Sequence, residues 1–371
     1  MIKVPLLDLK DQNTALEEEI LEAIKKVVQS QQFILGKAVQ EFEEKVAEYC
    51  GSGTAIGVSS GTDALLVSLL GLDIGPGDEV VTTPYSFFAT AGSIARTGAK
   101  PVFVDIDPLT FNINPSLIQS RINSNTKAIM PVHLYGQCAD MDPILDLAKD
   151  KGLAVIEDAA QSFGASYKNK QSGSLGTTGC FSFFPSKNLG GMGDGGLILV
   201  QDETLAQKIK SLRVHGANPK YYHPLLGGNF RLDALQAAIL NVKLPYVNKW
   251  ISSRRQNAQN YQALFSENNL DQYDVILPSE VIEGHTYNQF MIRVPKRDEL
   301  REYLKAQGII TEVYYPHPLH LQECFSSLGY EAGDFPETEK ACKENLALPI
   351  YPEMSEDQQQ IVVNTIKEFY V

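Results

Sequence analysis

The sequence predicts an α/β protein with a largely parallel sheet and a second, smaller domain at its carboxyl end. The chain has 371 residues, more than the roughly 100 to 200 residues of a typical domain. From about residue 53 onward, short apolar segments alternate with helical stretches, as in parallel strands joined by helices. Turns rich in Gly and Pro, such as Gly75-Pro76-Gly77-Asp78, precede the strands.

The elements follow in order along the chain. Apolar side chains at helical spacing predict two helices before the sheet, over residues 14–30 and around Val39–Tyr49. Strands are then predicted at Val80–Thr82, Val102–Asp105, Ala128–Val132, Val155–Asp158, Cys180–Phe183 and Leu197–Val200. A small polar loop ahead of the apolar run Ala64–Leu70 predicts a helix there.

The pattern changes after Pro245. A long polar helix is predicted first, followed by one strand and two further helices, at Asn248–Phe265, Gln289–Val294, Asp298–Gln307 and Ser355–Tyr370. We therefore expect residues 1–245 to form the N-terminal helices and a large domain, and residues 246–371 to form a smaller α+β domain.

The composition, 43% hydrophobic and 21% charged, is ordinary for a globular chain. The formal net charge of −13 repels the phosphates of a nucleic-acid backbone, and we expect no DNA or RNA partner. A small anionic substrate is compatible with this charge, because a local group of cations acts at short range, such as Arg213, His215, Lys220 and Arg231.

The five cysteines are widely spaced, odd in number and free of any Cys-x-x-Cys pair, which argues against a disulfide framework or a zinc site. Asp8, Lys10 and Asp11 stand where a signal peptide has its apolar core. No apolar run approaches the roughly 20 residues of a membrane span. We therefore expect a cytoplasmic protein without a membrane partner.

Two polar segments lie where an open α/β sheet presents functional side chains, beyond the carboxyl ends of its strands. The loop Ser59–Thr62 opens into a helix whose free amides and dipole suit an anion, although an ordinary capped helix start gives the same pattern. Asp158 ends a strand, where a buried carboxylate needs a cation such as a protonated pyridine nitrogen. A strand-terminal acid that caps the next helix is the alternative.

Lys187 and Phe87 complete a predicted cofactor site. Lys187 lies between a strand and the glycine-rich run Gly190–Gly196. A lone lysine is usually a solvated charge, but aromatic neighbours such as Phe184 can desolvate the amine and lower its pKa, as a Schiff base requires. Aromatic side chains, among them Phe87, follow the strand Val80–Thr82, and one of their rings could stack on a flat heterocycle or pack in the protein core.

With these residues assembled, the chain resembles the DegT/DnrJ/EryC1/StrS family of sugar aminotransferases, which are pyridoxal-phosphate enzymes of the aspartate-aminotransferase-like fold type I. The likeness covers essentially the whole chain. It rests on motifs at Val4–Leu9, Phe33–Gly36, Gly61–Leu65, His133–Gln137, Glu157–Gln161, Pro185–Lys187 and Gly228–Leu232. One departure is Phe230, where many relatives carry serine.

The resemblance implies a role for each residue of the site. Lys187 would hold the cofactor through a Schiff base, and Asp158 would pair with the pyridine nitrogen. Gln161 would bond to the ring hydroxyl of the cofactor, and Phe87 would stack on its ring. The phosphate would be held by Gly61, Thr62, Ser182 and Asn229 of the partner subunit. The family resemblance thus implies a homodimer with shared active sites.

The retained Lys187 indicates a transaminase, because related sugar dehydratases carry histidine at this position. The resemblance implies L-glutamate as amino donor, pyridoxamine phosphate as the intermediate form of the cofactor, and a nucleotide-linked keto-sugar as acceptor. We expect a dTDP-linked 3-keto-6-deoxyhexose aminated at C3 for the synthesis of an amino sugar of a glycan such as lipopolysaccharide. UDP-linked 3-keto-N-acetylglucosamine or its uronic acid is the second expectation, and a 4-keto-sugar is the third.

Candidate substrate-binding residues are Tyr222, Arg231, Tyr315, His317 and His320. Two histidines three residues apart also suggest a metal site, but Pro318 opposes the helix that this spacing needs, and we expect no metal.

Two other classes of protein fit part of the pattern. An amino-acid decarboxylase or a cysteine desulfurase of the same fold keeps the lysine and the aspartate, but Asn229, Arg231 and the whole-length likeness argue against it. A regulator or scaffold without chemistry predicts loss of Lys187 or Asp158, and both residues are present.

Overall fold

A seven-stranded sheet forms the centre of the larger part of the molecule. The structure is a computed structural model that describes residues 3–51 and 53–371. Its strands are β1 Thr54–Val58, β2 Glu79–Thr82, β3 Lys100–Phe103, β4 Thr126–Ile129, β5 Ala154–Asp158, β6 Ser166–Tyr167, β7 Lys170–Gln171, β8 Thr178–Ser182, β9 Gly196–Val200, β10 Phe290–Arg293 and β11 Asn345–Leu348. Its helices are α1 Lys10–Thr14, α2 Glu17–Ser30, α3 Lys37–Cys50, α4 Gly61–Gly71, α5 Ala89–Arg96, α6 Pro115–Ile118, α7 Met141–Lys151, α8 Glu203–Leu212, α9 Ala234–Lys243, α10 Val247–Glu267, α11 Arg297–Ala306, α12 Pro336–Glu344 and α13 Glu356–Tyr370.

The sheet has the strand order β1-β9-β8-β5-β4-β2-β3. Strands β3, β2, β4, β5 and β8 pair in parallel, whereas β9 runs antiparallel to both β8 and β1. The predicted α/β fold with a mixed, mostly parallel sheet is therefore confirmed. Each predicted strand overlaps an observed one, but the sequence patterns did not predict β1, a short strand that contains Gly57.

The parallel strands bring several loops to one edge of the sheet. Because parallel strands end on the same side, the residues that follow β2, β4, β5 and β8 meet there. Asp158 at the end of β5 aligns with Cys180 of β8 and forms a bridge with Val132 beyond β4. Phe87 follows β2 and Lys187 follows β8, so the main predicted site residues share this edge.

Helices bury the sheet on both faces. One core packs α4 and α8 against residues such as Ile56, Ile156 and Ile198, and another packs α7 against Val81 and Ile129. Helix α4 is buried along most of its length, and its neighbours are β8, β9, α5 and α8. This burial fixes the first turn of α4 at the sheet edge that carries Asp158.

The carboxyl-terminal part forms a separate core, in which α10, α11 and α13 pack around the antiparallel pair β10–β11. A single 3-10 turn, Leu244–Tyr246, separates α9 from α10, at the place where the sequence predicts a domain boundary. Val4 packs in this core and pairs with Ile309. Val4 thus lies in the core of the smaller unit, although the sequence assigns residues 1–245 to the N-terminal helices and the large domain. None of the described helices is long and apolar enough to cross a membrane.

Candidate active site

Asp158 is a buried carboxylate at the end of β5. Its Oδ2 accepts a hydrogen bond of 2.7 Å from Thr90 Oγ1, and its Oδ1 accepts a longer one of 3.3 Å from the amide of Ala160. None of the ion pairs found among the described residues includes Asp158. Burial therefore raises the pKa of Asp158, and the Thr90 hydrogen bond, the Ala160 amide and the charge of Lys187 oppose this rise.

The backbone around Asp158 is tied to the loop after β4. The Asp158 amide donates to the carbonyl of Pro131 at 2.9 Å, and the His133 amide donates to the carbonyl of Asp158 at 3.0 Å. The preceding residue, Glu157, points to the opposite face, because successive side chains of a strand alternate. Its carboxylate accepts hydrogen bonds from three backbone amides and lies 2.8 Å from the His133 ring.

Lys187 lies in the loop between β8 and β9, and its amide donates to the carbonyl of Phe184 at 2.9 Å. The residue keeps part of its surface exposed, yet protein atoms enclose its amine. This desolvation lowers the pKa of Lys187 to about 8, although the charge of Asp158 acts in the opposite direction. Lys187 therefore has a larger neutral, nucleophilic fraction near neutral pH than an ordinary lysine.

This lysine is expected to make the stability of the apoprotein depend on pH. Folding lowers its pKa from 10.5 to about 8, so between these values the unfolded chain keeps a proton that the folded chain releases. Lys187 therefore reduces stability below about pH 8, and this reduction fades as the pH rises to 10.5. Urea unfolding at several pH values should show that the wild-type apoprotein gains stability relative to Lys187→Ala as the pH rises from about 8 to 10.5. Parallel pH profiles of the two proteins would contradict the lowered pKa.

The first turn of α4 lies directly against the end of β8. A Cβ atom on Gly61 would lie 2.7 Å from the Cβ of Ser182, so only glycine fits at position 61 without displacing backbone or side chain. Ser60 caps the helix, because its Oγ accepts from the amide of Asp63 at 3.1 Å. Gly61, Thr62 and Ser182 thus form a small polar cradle at the positive end of a helix, which suits a phosphate.

Phe87, Gln161 and Tyr315 form the third part of the site. The ring of Phe87 is 58% exposed, although it follows a buried strand, and its centroid lies 6.2 Å from that of Tyr315. Gln161 Oε1 accepts from the amide of Tyr135 at 2.8 Å, and its Nε2 donates to the hydroxyl of Tyr315 at 2.9 Å. These two contacts fix the orientation of the Gln161 amide, and the exposed Phe87 ring is free to stack on a ligand.

Other predicted residues lie at the surface or in the core. Asn229 and Tyr222 are exposed. Arg231 pairs through its backbone with Val58, and its Nε is buried without a hydrogen-bond partner among the residues described.

The two histidines of the Tyr315–His320 segment have different surroundings. His317 is exposed, and its Nε2 lies 2.9 Å from the carbonyl of Leu321. His320 is buried against Phe335, with ring centroids 4.7 Å apart, and its Nε2 lies 3.3 Å from Glu339. The fold thus encloses His320 in protein, whereas His317 is accessible to a ligand. In the ranges that the structure describes, no group of three metal-ligating side chains comes together.

Thr90 and Tyr135 both contact predicted site residues, although no sequence pattern assigns either of them a role. Thr90 binds the Asp158 carboxylate, and the Tyr135 amide binds Gln161. Ser86 lies before the first residue of α5, so its spacing of four from Thr90 gives no helical signal for this contact.

The sequence model of the DegT/DnrJ/EryC1/StrS aminotransferase family matches residues 14–367. The chain belongs to this family. The family resemblance predicted from the motifs is thereby confirmed, and the chain is a sugar aminotransferase.

Curated relatives match this family member over nearly its whole length. A protein of Geobacillus stearothermophilus named pleiotropic regulatory protein is 54% identical over 100% of this chain and 99% of its own. The UDP-2-acetamido-2-deoxy-3-oxo-D-glucuronate aminotransferase of Pseudomonas aeruginosa is 43% identical over 94% and 95%. The dTDP-3-amino-3,6-dideoxy-alpha-D-galactopyranose transaminase of Aneurinibacillus thermoaerophilus is 41% identical over 99% of each chain.

Solved structures agree. The crystal structure of S. venezuelae DesV in complex with a ketimine intermediate matches with a TM-score of 0.95 and 37% identity, over 100% of this chain and 99% of that one. The structure of NtdA from Bacillus subtilis with bound cofactor PMP matches with a TM-score of 0.92 and 33% identity, over 99% and 86%. Pyridoxal phosphate is the cofactor that this family implies.

The residues of the site fit this cofactor. Asp158 is a buried carboxylate without a cationic partner, which a protonated ring nitrogen would supply. Lys187 has the lowered pKa that a covalent attachment needs, and the absence of a side chain at Gly61 lets the first turn of α4 lie against Ser182, where both would line a phosphate site.

Proposed function

We propose that this sugar aminotransferase uses pyridoxal phosphate to move an amino group from L-glutamate to C3 of a nucleotide-linked 3-keto-sugar. The observation that carries the proposal is the combination of Lys187, whose pKa is lowered to about 8, with the buried carboxylate of Asp158 at one edge of the sheet. A buried carboxylate without a cation and a desolvated lysine are each unfavourable for stability, and a cofactor that uses both explains why they persist.

Each polar group of the site has a task in this proposal. Asp158 would hold the ring nitrogen, Gln161 the ring hydroxyl, and Phe87 the face of the ring. Gly61, Thr62 and Ser182 would bind the phosphate at the start of α4. When bound, the cofactor supplies an electron-withdrawing ring that stabilises negative charge at the reacting carbon. The neutral amine of Lys187 would carry the proton from the amine-bearing carbon of the donor to the aldehyde carbon of the cofactor, and the second half of the cycle would run this transfer in reverse.

The Pseudomonas and Aneurinibacillus relatives described above are both named for sugars, and their names support the choice of C3. One is named for a 3-oxo substrate linked to UDP and the other for a 3-amino product linked to dTDP, and their identities to this chain are 43% and 41%. Position 3 is therefore common to both, while the nucleotide differs. We propose a dTDP-linked 3-keto-6-deoxyhexose as the acceptor, with the UDP-linked N-acetylglucosamine derivatives as the second candidate. The accessible candidates to contact this sugar nucleotide are Tyr222, Arg231, Tyr315 and His317.

A homodimer belongs to the proposal. Large apolar side chains are exposed beside the start of α9, where Ala234 bonds to the carbonyl of Phe33 and Gln236 bonds to the amide of Met192. Phe33, Ile34 and Met192 are 41%, 50% and 45% exposed. A second copy of the chain that covered this surface would remove it from water. Asn229 of the partner subunit would then reach the phosphate.

Asn229→Ala is expected to weaken the binding of pyridoxamine phosphate by about 10-fold, because one hydrogen bond to a charged phosphate is lost. The dimer should persist. Fluorescence titration measures the affinity, and sedimentation measures the assembly. Asn364→Ala removes an exposed amide from α13 and serves as the matched control. Unchanged affinity in Asn229→Ala, or a monomeric wild type, would remove the shared site from the proposal.

The name of the Geobacillus relative concerns regulation, but the chain keeps Lys187, Asp158 and the phosphate cradle, which a protein without chemistry does not need.

The proposed function is tested by the absorbance spectrum of the purified protein, loaded with pyridoxal phosphate, before and after L-glutamate is added. We expect the visible band of the lysine-bound cofactor to give way to the near-ultraviolet band of pyridoxamine phosphate. No chromophore after loading would overturn the proposal, and a chromophore that glutamate leaves unchanged would exclude this donor. The pyridoxamine form is then offered dTDP-linked and UDP-linked 3-keto-sugars, and the visible band should return with the true acceptor.

A further inference from the structure

Asp158 does not stand alone at the end of β5, because two buried hydroxyl groups connect it to helix α5. Thr90 Oγ1 lies 2.7 Å from Asp158 Oδ2 and 2.8 Å from Ser86 Oγ. Thr90 is fully buried, and Ser86 and Asp158 are 4% and 5% exposed. Water therefore does not compete for these hydrogen bonds.

The direction of the two bonds follows from their protons. An ionised carboxylate only accepts hydrogen bonds, so Thr90 gives its single hydroxyl proton to Asp158. The proton shared between Ser86 and Thr90 must then come from Ser86. The chain of donation runs from Ser86 through Thr90 to Asp158, and each donor strengthens the next one.

The contact is not the usual arrangement of a helical threonine. A threonine inside a helix can bond to the carbonyl three or four residues earlier, but Thr90 is the second residue of α5 and has no such carbonyl within its helix. Thr90 bonds instead across the interior to a strand 68 residues further along the sequence. The bond to Thr90 occupies Oδ2, and the long contact to Ala160 leaves Oδ1 able to accept a shorter hydrogen bond.

We propose that Ser86 and Thr90 are positioning residues that keep Asp158 ionised, direct its Oδ1 to the ring nitrogen of the cofactor, and so retain the shared proton on that nitrogen. This inference rests on the proposed role of Asp158 as partner of the ring nitrogen. It adds two residues, neither of which is expected to touch the cofactor.

The electrostatics of Asp158 explain why the hydroxyls matter. Burial raises its pKa, and the hydrogen bond from Thr90 is the largest effect that lowers it, ahead of the Ala160 amide and the charges of Lys187 and His133. Burial raises the pKa values of Tyr315 and Cys180, and the nearby charge of Asp158 adds to this rise. Without Thr90, the carboxylate holds a proton more firmly and competes with the ring nitrogen for it. A neutral ring then withdraws fewer electrons from the substrate carbon.

The test uses nitrogen NMR of the full-length enzyme loaded with pyridoxal phosphate that carries nitrogen-15 in its ring, because the chemical shift reports whether the nitrogen is protonated. In the wild type we expect a protonated nitrogen. In Thr90→Val the signal should move toward the unprotonated value, and in Ser86→Ala it should move less in the same direction. Thr90→Ser restores the hydroxyl and should restore the signal.

Kinetics provide a second readout on the same variants. Thr90→Val should lower kcat by about 10-fold or more, the effect of one hydrogen bond to a charged group, while KM for L-glutamate stays within about twofold. Thr97→Val is the matched control, because Thr97 lies at the end of the same helix and donates to the carbonyl of Ile94. Its nitrogen signal and kcat should equal those of the wild type.

The outcomes separate this inference from the proposed function. Identical nitrogen signals in the wild type, Thr90→Val and Ser86→Ala overturn the inference alone. An unprotonated nitrogen in the wild type overturns the role of Asp158 and this inference with it. Circular dichroism shows whether Thr90→Val folds, and if it does not, the other two variants decide. A shifted nitrogen signal in Ser86→Ala together with a wild-type signal in Thr90→Ser supports the inference. Any other combination of these two signals opposes it.

Discussion

Lys187→Ala is expected to lower the rate of amino transfer by at least about 10³-fold, because a methyl group neither attaches to the cofactor nor carries a proton at the reacting carbon. The variant should remain folded. Enclosure by protein already lowers the pKa of the Lys187 amine to about 8, so its removal takes an unfavourable charge out of the interior. Single-turnover amino transfer from L-glutamate measures the rate, and circular dichroism measures the fold.

Lys170→Ala is the control for this variant, because Lys170 is an exposed lysine on β7 that the site does not use. Its rate should equal that of the wild type. Added methylamine should restore part of the lost rate in Lys187→Ala, since a small free amine can carry the same proton. A rate in Lys187→Ala within about tenfold of the wild type would remove the lysine from the mechanism.

Local patterns were sufficient to predict most of the sheet. Apolar runs bounded by Gly and Pro turns located the strands that end near Asp158 and Lys187, because burial and turn chemistry are properties of short segments. The direction of β9 and the existence of β1 depend on which strands pair, and periodicity does not record pairing. The bridge between Val4 and Ile309 joins segments that are far apart in the chain, and for the same reason no local signal predicts it.

The residues of the candidate site also divide into those with a local sequence signal and those that only a tertiary contact reveals. Asp158, Lys187 and Gly61 stand at strand ends or a helix start, so their positions have sequence signals, and the family resemblance supplies their roles. Thr90 acts only through a tertiary contact with Asp158, which no local pattern reveals. His320 shows the opposite case: its motif suggests a polar surface contact, but the fold buries the ring against Phe335. Burial of a single side chain is decided by the packing of distant elements.

Asp158→Asn is expected to reduce amino transfer by about 100-fold or more, because a neutral amide donates to the ring nitrogen and cannot stabilise a proton there. The apoprotein should be at least as stable as the wild type. Since folding raises the pKa of Asp158, the ionised group reduces stability at neutral pH, and this reduction begins as the pH rises above the value of the unfolded chain. Asparagine removes that charge and still accepts the hydrogen bond from Thr90.

The adjacent carboxylate provides the matched comparison, because Glu157 belongs to the same strand and faces the other way. Its oxygens accept from the amides of Gly173, Leu175 and Gly176. In Glu157→Gln an NH₂ group must face one or more of these donors, and we expect a loss of about 1 to 3 kcal/mol in the free energy of unfolding. Urea unfolding of the apoproteins and single-turnover rates of the loaded enzymes should therefore separate the two positions. Asp158→Asn should lower the rate of amino transfer without lowering the free energy of unfolding, whereas the main effect of Glu157→Gln should be a lower free energy of unfolding. A destabilised Asp158→Asn with a normal rate would make Asp158 a structural residue and leave the ring nitrogen without its proposed partner.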